Sequence, residues 1–313
     1  MSKRVLVTGS TGFIGTELVK RLRSLSEYEV HTLERYVTGR YTLDNLGVIN
    51  HYANLTDYPA IKNLIREIKP EYLIHLAAVS AVSFSYDHYI EVSEADYLGT
   101  LNLAEACHRG VPEFKQFIMA GSSEEYGMTL TDTNSKLTEE SELQPNSPYA
   151  CAKVASDLYL RYMGKAFNFP YTVLRPFNTY GRLSNTHFFI ERTITQMLKG
   201  AGVYLGDPNT VRDWLYMDDH VNGYLKALGN DKAIGQIIQL STGKGYTTKE
   251  TAELIAELTS FGGNINWNAT PQRPLDARIL IGDNSKAKKL LDWEPKYDLK
   301  EGLKKTIEEL KGR

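Results

Sequence analysis

The N-terminal residues combine an apolar run with regularly spaced glycines, and this pattern constrains the fold more than any other. The run Val5-Leu6-Val7 predicts a buried strand, and a helical pattern continues from Gly12 to Leu22. Glycines at this strand–helix turn allow a tight turn, a close approach of backbone to pyrophosphate and a helix N-terminus that faces the anion. The spacing is G-x-x-G-x-x-G rather than G-x-G-x-x-G, but the physical requirements are the same. We therefore predict a dinucleotide site contacted by Gly9, Thr11, Gly12, Phe13, Ile14 and Gly15.

The rest of the chain alternates between strand and helix patterns, which is typical of an α/β fold with a doubly wound parallel sheet. Strands are predicted at 4–8, 29–34, 48–53, 72–76, 115–120, 171–175 and 236–240. Helices are predicted at 13–24, 57–68, 90–108, 148–166 and 219–228. The alternation becomes irregular after about residue 176. We therefore predict a Rossmann-type domain at 1–176 plus about 214–242, and a smaller α/β substrate-binding lobe at 177–213 and 243–313.

Composition excludes several classes of function. The 313 residues are 42% hydrophobic and 24% charged, as in ordinary globular proteins. A net charge of −2 offers no basic surface for nucleic acid, and no apolar stretch reaches the roughly 20 residues of a membrane span. The two cysteines give no disulfide framework and no metal-binding spacing. We expect a cytoplasmic protein with no metal site, no membrane partner and no nucleic-acid partner.

Tyr149 and Lys153 lie four residues apart, so they share one face of a predicted helix. An ammonium beside a phenol favours the phenolate, and a group that normally titrates near pH 10 can then act as a base near neutrality. Gly121-Ser122-Ser123-Glu124 lies just upstream. With the dinucleotide loop, these features predict hydride chemistry on a hydroxyl group.

These motifs together resemble the extended short-chain dehydrogenase/reductase family, in particular its NAD-dependent epimerases and dehydratases that act on nucleotide sugars. The resemblance covers essentially the full length. It includes, beyond the motifs above, His75-Leu-Ala-Ala78, Arg175-Pro-Phe-Asn-Thr-Tyr-Gly181, Arg212-Asp-Trp-Leu-Tyr-Met-Asp-Asp219 and Arg273-Pro-Leu-Asp276. It implies a Rossmann fold, NAD or NADP, a nucleoside-diphosphate sugar as substrate and oxidation at the sugar's C4.

The resemblance also implies roles for the candidate catalytic residues. Tyr149 takes the proton of the 4-hydroxyl, Lys153 assists it and holds the nicotinamide ribose, and Ser122 hydrogen-bonds the reacting oxygen. Glu124 resembles the acidic residue of 4,6-dehydratases, which removes the C5 proton once C4 is a ketone, and Ser123 resembles the residue that assists water loss from C6 in the guanosine-diphosphate-mannose branch. We therefore predict a nucleotide-sugar 4,6-dehydratase of the GDP-mannose or dTDP-glucose branch.

Three alternatives remain open at this stage. A 4-epimerase or a 4-keto-6-deoxy-sugar reductase would use the same tyrosine, lysine and serine, and a dinucleotide-binding sensor would use only the fold. Some residues depart from the family pattern: Asp96 replaces a common Asn, Glu125 replaces a hydrophobic residue, and Arg182 replaces a frequent Pro. Cys151 is interpreted as a packing residue.

Cofactor choice depends on the end of the second strand. Glu34 can accept from a ribose 2′-hydroxyl and repel a 2′-phosphate, so we predict NAD. Arg35 or Arg40 could instead accommodate that phosphate, which leaves NADP as the alternative. The remaining predicted cofactor contacts are Asn54, Leu55, Leu76, Ala77 and Ala78.

The predicted substrate contacts are Ser80, Ser122, Asn178, Arg192, Arg212 and Arg278. The resemblance implies that Asn178, Arg212 and Arg278 bind the pyrophosphate, which requires cations and hydrogen-bond donors, and Arg192 is a further candidate. The resemblance further implies a homodimer, in which the helix that carries Tyr149 and Lys153 and the helix near 90–108 form a four-helix bundle with a second copy.

Overall fold

The computed structural model describes residues 2–36, 43, 46–130, 132–182, 185–200, 202–271 and 273–312. The strands are β1 (Lys3–Thr8), β2 (Tyr28–Glu34), β3 (Ile49–Tyr52), β4 (Tyr72–His75), β5 (Gln116–Ala120), β6 (Tyr171–Pro176), β7 (Asn178–Tyr180), β8 (Val203–Tyr204), β9 (Val211–Tyr216), β10 (Gln236–Leu240), β11 (Gly245–Thr247), β12 (Ile265–Asn266) and β13 (Ile279–Leu280). The helices are α1 (Phe13–Arg23), α2 (Tyr58–Ile68), α3 (Val82–Ser85), α4 (Tyr89–Val92), α5 (Gly99–Gly110), α6 (Pro148–Phe167), α7 (Phe189–Leu198), α8 (Met217–Ala227), α9 (Thr248–Thr259), α10 (Ser285–Leu291) and α11 (Leu299–Lys311).

The central sheet confirms the predicted fold class. Seven strands lie in the order β10-β6-β5-β4-β1-β2-β3, and every neighbouring pair is parallel. Val5 and Val7 face a core that contains residues of α1 and α8, whereas Leu6 faces the core beneath α2 and α5. Both faces of the sheet are therefore buried, as a doubly wound parallel sheet requires.

The predicted helix at 90–108 is not a single α-helix. The structure has α4, then a π-helix at Ser93–Leu98, and then α5. The wider turns centre on Asp96, whose backbone oxygen accepts hydrogen bonds from Thr100 Oγ1 at 2.5 Å and Ser156 Oγ at 3.1 Å. Single π-turns of this kind occur often beside functional sites.

The C-terminal half builds a second, smaller layer above the sheet. Strand β9 pairs with β7, β11 and β13, and β8 pairs with β12. Helices α7, α9 and α11 share a separate core around Ile194, Ile255 and Leu303. The division into two domains remains a prediction, and β9 crosses its proposed boundary near residue 213.

Candidate active site

One large cavity lies over the C-terminal ends of the central strands, between the sheet and the smaller layer. Its volume is about 1270 Å³. Every residue predicted from the sequence to bind or react lines it: Gly9, Thr11, Gly12, Phe13, Ile14, Gly15, Glu34, Arg35, Asn54, Leu55, Leu76, Ala77, Ala78, Ser80, Ser122, Ser123, Glu124, Tyr149, Lys153, Asn178, Arg192, Arg212 and Arg278. Residues from distant parts of the chain are thus brought to one place.

The glycine turn between β1 and α1 suits an anionic ligand. Gly9 has φ +69°, and a Cβ there would lie 2.6 Å from the backbone nitrogen of Ala77. A Cβ on Gly15 would lie 2.1 Å from the oxygen of Gly9, so the turn tolerates no side chain at either position. Helix α1 begins after Gly12 without a side-chain cap. Its first N–H groups therefore remain available to a pyrophosphate, which fits a dinucleotide.

Glu34 closes the adjacent end of the cavity and is itself held by the glycine turn. One carboxylate oxygen accepts from Ser10 Oγ and from the Thr11 backbone nitrogen (3.2 Å), and the other accepts from Thr11 Oγ1 (2.6 Å). Arg35 is oriented differently: it donates to Tyr36 Oη at 2.9 Å and lies 4.0 Å from Glu91. Arg40 lies outside the described residues. The charged group held in one position at this end of the cavity is therefore the carboxylate of Glu34.

A buried chain of hydrogen bonds supports the sheet end beneath the cavity. The backbone nitrogen of Ala77 donates to Thr8 Oγ1 (3.2 Å), which lies 2.7 Å from His75 Nδ1, and His75 Nε2 lies 3.0 Å from Thr100 Oγ1. Because Thr100 donates to the oxygen of Asp96, it must accept from His75 Nε2, and Nδ1 must accept from Thr8. Burial lowers the pKa of His75 to about 3, so the ring is neutral.

Asp96 places a buried carboxyl group where it interacts electrostatically with Lys153 and Tyr149. Its Oδ1 accepts from the Val79 backbone nitrogen at 2.7 Å, and its Oδ2 has no partner among the described residues. Burial raises the pKa of this carboxyl, and the charge of Lys153 opposes the shift. In the sequence, Asp96 is notable only because the family pattern commonly has asparagine at this position.

Tyr149 and Lys153 are positioned by the first turns of α6. The helix begins after Ser147, whose hydroxyl accepts from the Ala150 backbone nitrogen at 3.1 Å, and Pro148 takes the first helical position. Both side chains are buried, and Lys153 Nζ lies 5.7 Å from the centroid of the Tyr149 ring. The lysine thus sits over the ring, as one shared helix face predicts.

The pKa of Tyr149 differs from the sequence expectation. Burial raises it well above its ordinary value, the charge of Asp96 raises it further, and a hydrogen bond with Ser122 lowers it. The cause is desolvation, which disfavours the phenolate. The four-residue spacing of Tyr149 and Lys153 contains no information about burial, so the sequence could not predict this effect. Ser122 opposes this shift, since its hydrogen bond lowers the pKa of Tyr149.

The segment after β5 carries the remaining predicted catalytic groups. Ser122 caps a short 3₁₀ helix at Ser123–Glu125, and its hydroxyl accepts from the Glu124 backbone nitrogen at 3.2 Å. The Glu124 side chain is only 6% exposed, and its Oε2 has no partner among the described residues. A carboxylate oxygen is thus available to a ligand in the cavity.

The opposite wall of the cavity is rich in arginine. Arg212 Nη2 lies 3.0 Å from Asp276 Oδ1, and Arg273 Nη2 lies 3.3 Å from the same oxygen. Burial lowers the pKa of Arg212 and of Arg192. Asn178 Oδ1 and Arg192 Nε are buried without partners among the described residues. This wall suits a ligand with several negatively charged oxygens.

Sequence reasoning missed two groups on α8 that also line the cavity, His220 and Tyr224. His220 Nδ1 lies 2.9 Å from Thr179 Oγ1, whereas His220 Nε2 and Tyr224 Oη have no partner in the described part of the chain. Burial lowers the pKa of His220 to about 3. The four-residue spacing of His220 and Tyr224 on a predicted helix could have indicated that both side chains share one face of that helix.

The described residues contain no cluster of metal-binding side chains and no membrane-spanning helix. No group of three or more histidine, cysteine, aspartate or glutamate side chains is arranged to hold a metal ion within those ranges. No helix in the same ranges is long and apolar enough to cross a membrane.

Comparison with known proteins identifies the family. The family model described as GDP-mannose 4,6 dehydratase matches residues 6–306. A UDP-glucose 4-epimerase of Mycolicibacterium smegmatis is 31% identical over 97% of both chains. The GDP-mannose 4,6-dehydratase of Vibrio cholerae is 28% identical over 96% of this chain and 92% of its own.

A solved structure agrees in fold over the whole chain. The UDP-glucose 4-epimerase of Thermus thermophilus, in complex with NAD, superposes with a TM-score of 0.88 at 29% identity and covers 99% of both chains. Relatives of both reaction types thus match along nearly the full length. The chain belongs to the GDP-mannose 4,6-dehydratase family, within the extended short-chain dehydrogenases/reductases that act as NAD-dependent epimerases and dehydratases.

Proposed function

We propose that this protein is an NAD-dependent nucleotide-sugar 4,6-dehydratase, which converts a nucleoside-diphosphate hexose into its 4-keto-6-deoxy derivative. One observation carries the choice of reaction: next to Ser122, Glu124 presents to the cavity a buried carboxylate oxygen that has no partner in the part of the chain that the structure describes. A 4-epimerase has no step that requires such a carboxylate, whereas a dehydratase must remove a proton from C5.

The first step is oxidation at C4. Tyr149 receives the proton of the 4-hydroxyl, and Ser122 donates a hydrogen bond to the same oxygen. NAD, when bound, supplies the hydride acceptor and a positively charged ring that favours the phenolate. The Lys153 ammonium adds to this effect and can hold a ribose hydroxyl. These contributions offset the burial that raises the pKa of Tyr149.

The second step is loss of water across C5 and C6. A ketone at C4 acidifies the C5 proton, and the free oxygen of Glu124 removes it. The C6 hydroxyl leaves as water with a proton from Ser123 or from Glu124 itself. The resulting C5–C6 double bond would then receive at C6 the hydride stored on the cofactor and at C5 the proton held by Glu124, which restores NAD and gives the 4-keto-6-deoxy product. Both side chains are buried, so bulk water does not compete for the reacting atoms.

The arginine wall binds the diphosphate of the substrate. Arg212 and Arg278 supply charge, Arg192 supplies a further guanidinium, and Asn178 offers an amide. Asp276 and the backbone oxygen of Val211, which accepts from Arg212 Nη1 at 3.0 Å, fix the orientation of Arg212. Ser80 lies exposed at the cavity rim, where it can contact the sugar nucleotide.

NAD is the proposed cofactor, in preference to NADP. The carboxylate of Glu34 is held rigidly by Ser10 and Thr11 at the end of β2, where it can accept from a ribose hydroxyl and repel a 2′-phosphate. Arg35 is engaged by Tyr36 and Glu91, which lessens its availability to such a phosphate.

The reaction is tested with a panel of nucleotide sugars and catalytic NAD, with products identified by NMR. A 4-keto-6-deoxy product supports the proposal. Glu124→Gln should slow product formation by about 10²-fold or more, because the amide cannot accept the C5 proton. Glu140→Gln is the matched control, since Glu140 is exposed and outside the cavity. Unchanged turnover in Glu124→Gln would contradict the proposed role.

The second candidate is a 4-epimerase, which the similarity to UDP-glucose 4-epimerases favours. Release of a sugar inverted at C4, with turnover insensitive to Glu124→Gln, would establish it in place of the dehydratase. Consumption of a nicotinamide cofactor in proportion to product would instead indicate a reductase.

We further propose that two copies associate through α6 and the helical segment 89–110. The two segments lie side by side, and apolar side chains stand out from both: Tyr89, Ile90, Leu98, Leu158 and Tyr162 are 37–61% exposed. Pairing with a second copy would bury them in a four-helix bundle. Light scattering should report a dimer for the wild type and a monomer for Leu158→Glu; a wild-type monomer would contradict the proposal.

A further inference from the structure

Two consecutive glutamates in the 3₁₀ helix after β5 have different surroundings: one faces the cavity and the other is buried in the protein interior. Glu124 lines the cavity, whereas Glu125 is fully buried behind it. Glu125 Oε1 accepts from the backbone nitrogen of Ser122 at 2.8 Å, and Ser122 Oγ accepts from the Glu124 backbone nitrogen. These reciprocal bonds fix the turn that carries the proposed catalytic groups.

The second oxygen of Glu125 connects this turn to another part of the active site. Glu125 Oε2 lies 2.8 Å from Arg175 Nε on β6, and Arg175 Nη2 pairs with Asp157 on α6. Asp157 follows Lys153 by four residues and Tyr149 by eight, and all three side chains are buried on the same helix. A continuous set of contacts therefore joins the turn of Ser122 to the helix of Tyr149.

We propose that Glu125 is a positioning residue, which holds Ser122 and Glu124 in register with Tyr149 and Lys153 through Arg175 and Asp157. The inference rests on the proposed function in so far as Ser122 and Glu124 act on a sugar. Glu125 itself does not contact the cavity, so it acts only through the groups that it holds.

Charged and phenolic groups surround the Glu125 carboxylate. Arg175, Asp157, Tyr149 and the adjacent Tyr126 face it, and Arg161 Nε lies 3.0 Å from the other oxygen of Asp157. Burial raises the pKa of Glu125 to about 7; Arg175 opposes this shift and Asp157 adds to it. An apolar residue here would remove the partner of Arg175 Nε and leave Asp157 to face both Arg175 and Arg161, so a loss of stability is expected as well, and measurements at the turn itself must separate positioning from stabilisation.

Three variants separate positioning from general stabilisation. Glu125→Leu removes the acceptor of the Ser122 N–H, and Glu125→Gln keeps an amide oxygen that can replace it. Tyr126→Phe is the matched control: it removes the hydroxyl that accepts from Arg175 (2.8 Å) and Gln239 (2.7 Å) but leaves the Ser122 bond intact. Each is compared with the wild type in kcat, in KM for the sugar nucleotide and in amide hydrogen exchange of residues 121–127.

We expect kcat to fall about 10–100-fold in Glu125→Leu with KM within about threefold, because small displacements of catalytic groups cost rates of this order. Amide hydrogen exchange of residues 121–127 should be faster in Glu125→Leu than in the wild type. Glu125→Gln should recover most of the activity, and Tyr126→Phe should keep kcat within about twofold while its melting temperature falls.

Wild-type kcat and exchange in Glu125→Leu would overturn the proposal. Equal losses in Glu125→Leu and Tyr126→Phe would also overturn it, because they would reduce Glu125 to a stabilising residue. Failure of the proposed function would be recognised separately, since the wild type would then release no 4-keto-6-deoxy product from any sugar nucleotide of the panel. The exchange comparison would still decide whether Glu125 fixes the turn.

Discussion

Replacing Glu34 by glutamine tests how the cavity selects its dinucleotide. In the wild type this carboxylate, 9% exposed, accepts three hydrogen bonds from Ser10 and Thr11 at the end of β2. A ribose hydroxyl of NAD can donate to it in addition, and a hydrogen bond to a charged acceptor contributes about 1.5–3 kcal/mol. Loss of the charge should therefore weaken NAD binding by about 10–100-fold.

The same charge should discriminate strongly against NADP. A carboxylate about 5 Å from a dianionic phosphate costs about 2 kcal/mol at the dielectric constant of water and several kcal/mol more in a partly buried site. The wild type should then prefer NAD by at least about 30-fold, and Glu34→Gln should reduce this preference to about tenfold or less.

The assay is isothermal titration of both dinucleotides into cofactor-stripped protein. Glu29→Gln is the control, because Glu29 lies on the same strand but outside the cavity, where it contacts His31. Equal affinity of the wild type for both dinucleotides, or an undiminished preference in Glu34→Gln, would refute the reasoning.

Three further outcomes are expected. Tyr149→Phe should lower kcat by about 10²–10⁴-fold and leave NAD binding nearly unchanged; more than a tenth of wild-type kcat would exclude it as the base. Asp96→Asn should lower the pKa of Tyr149, because it removes a charge that raises this pKa, so the acidic limb of the pH–rate profile should move to lower pH; an unmoved limb would contradict the coupling. Burial raises the pKa of Glu125 from an ordinary 4.5 to about 7, so the folded protein retains a proton that the unfolded chain releases between these values. The free energy of unfolding of the wild type should therefore fall as pH rises through this window, relative to Glu125→Leu, and urea titrations at several pH values that show no such difference would contradict the shift.

Local patterns were sufficient to predict the part of the site built from consecutive residues. The glycines after β1, the Tyr149–Lys153 spacing and Glu34 at a strand end each depend on short-range geometry, and the structure places all of them around one cavity. Parallel strands end at the same edge, so an alternating pattern was enough to bring them together.

Contacts between distant residues could not be predicted in this way. The pairing of Glu125 with Arg175, and of Arg212 with Asp276, depends on how separate strands and loops meet in three dimensions. The strong desolvation of Tyr149 was missed for the same reason, since burial is a property of the assembled core. The π-helix at Ser93–Leu98 likewise has no periodic signature in so short a segment.

The hydrogen-bond chain through His75 keeps the charge beneath the glycine turn independent of pH. Both ring nitrogens are engaged, by Thr8 and Thr100, so protonation at Nδ1 would remove the acceptor of the Thr8 hydroxyl. A buried histidine of this kind keeps the same charge across the range in which exposed histidines titrate. Acidification would thus leave the charge of the sheet end below the glycine turn unchanged, and the pH dependence of the reaction could be altered at the Asp96 side chain without changing this support.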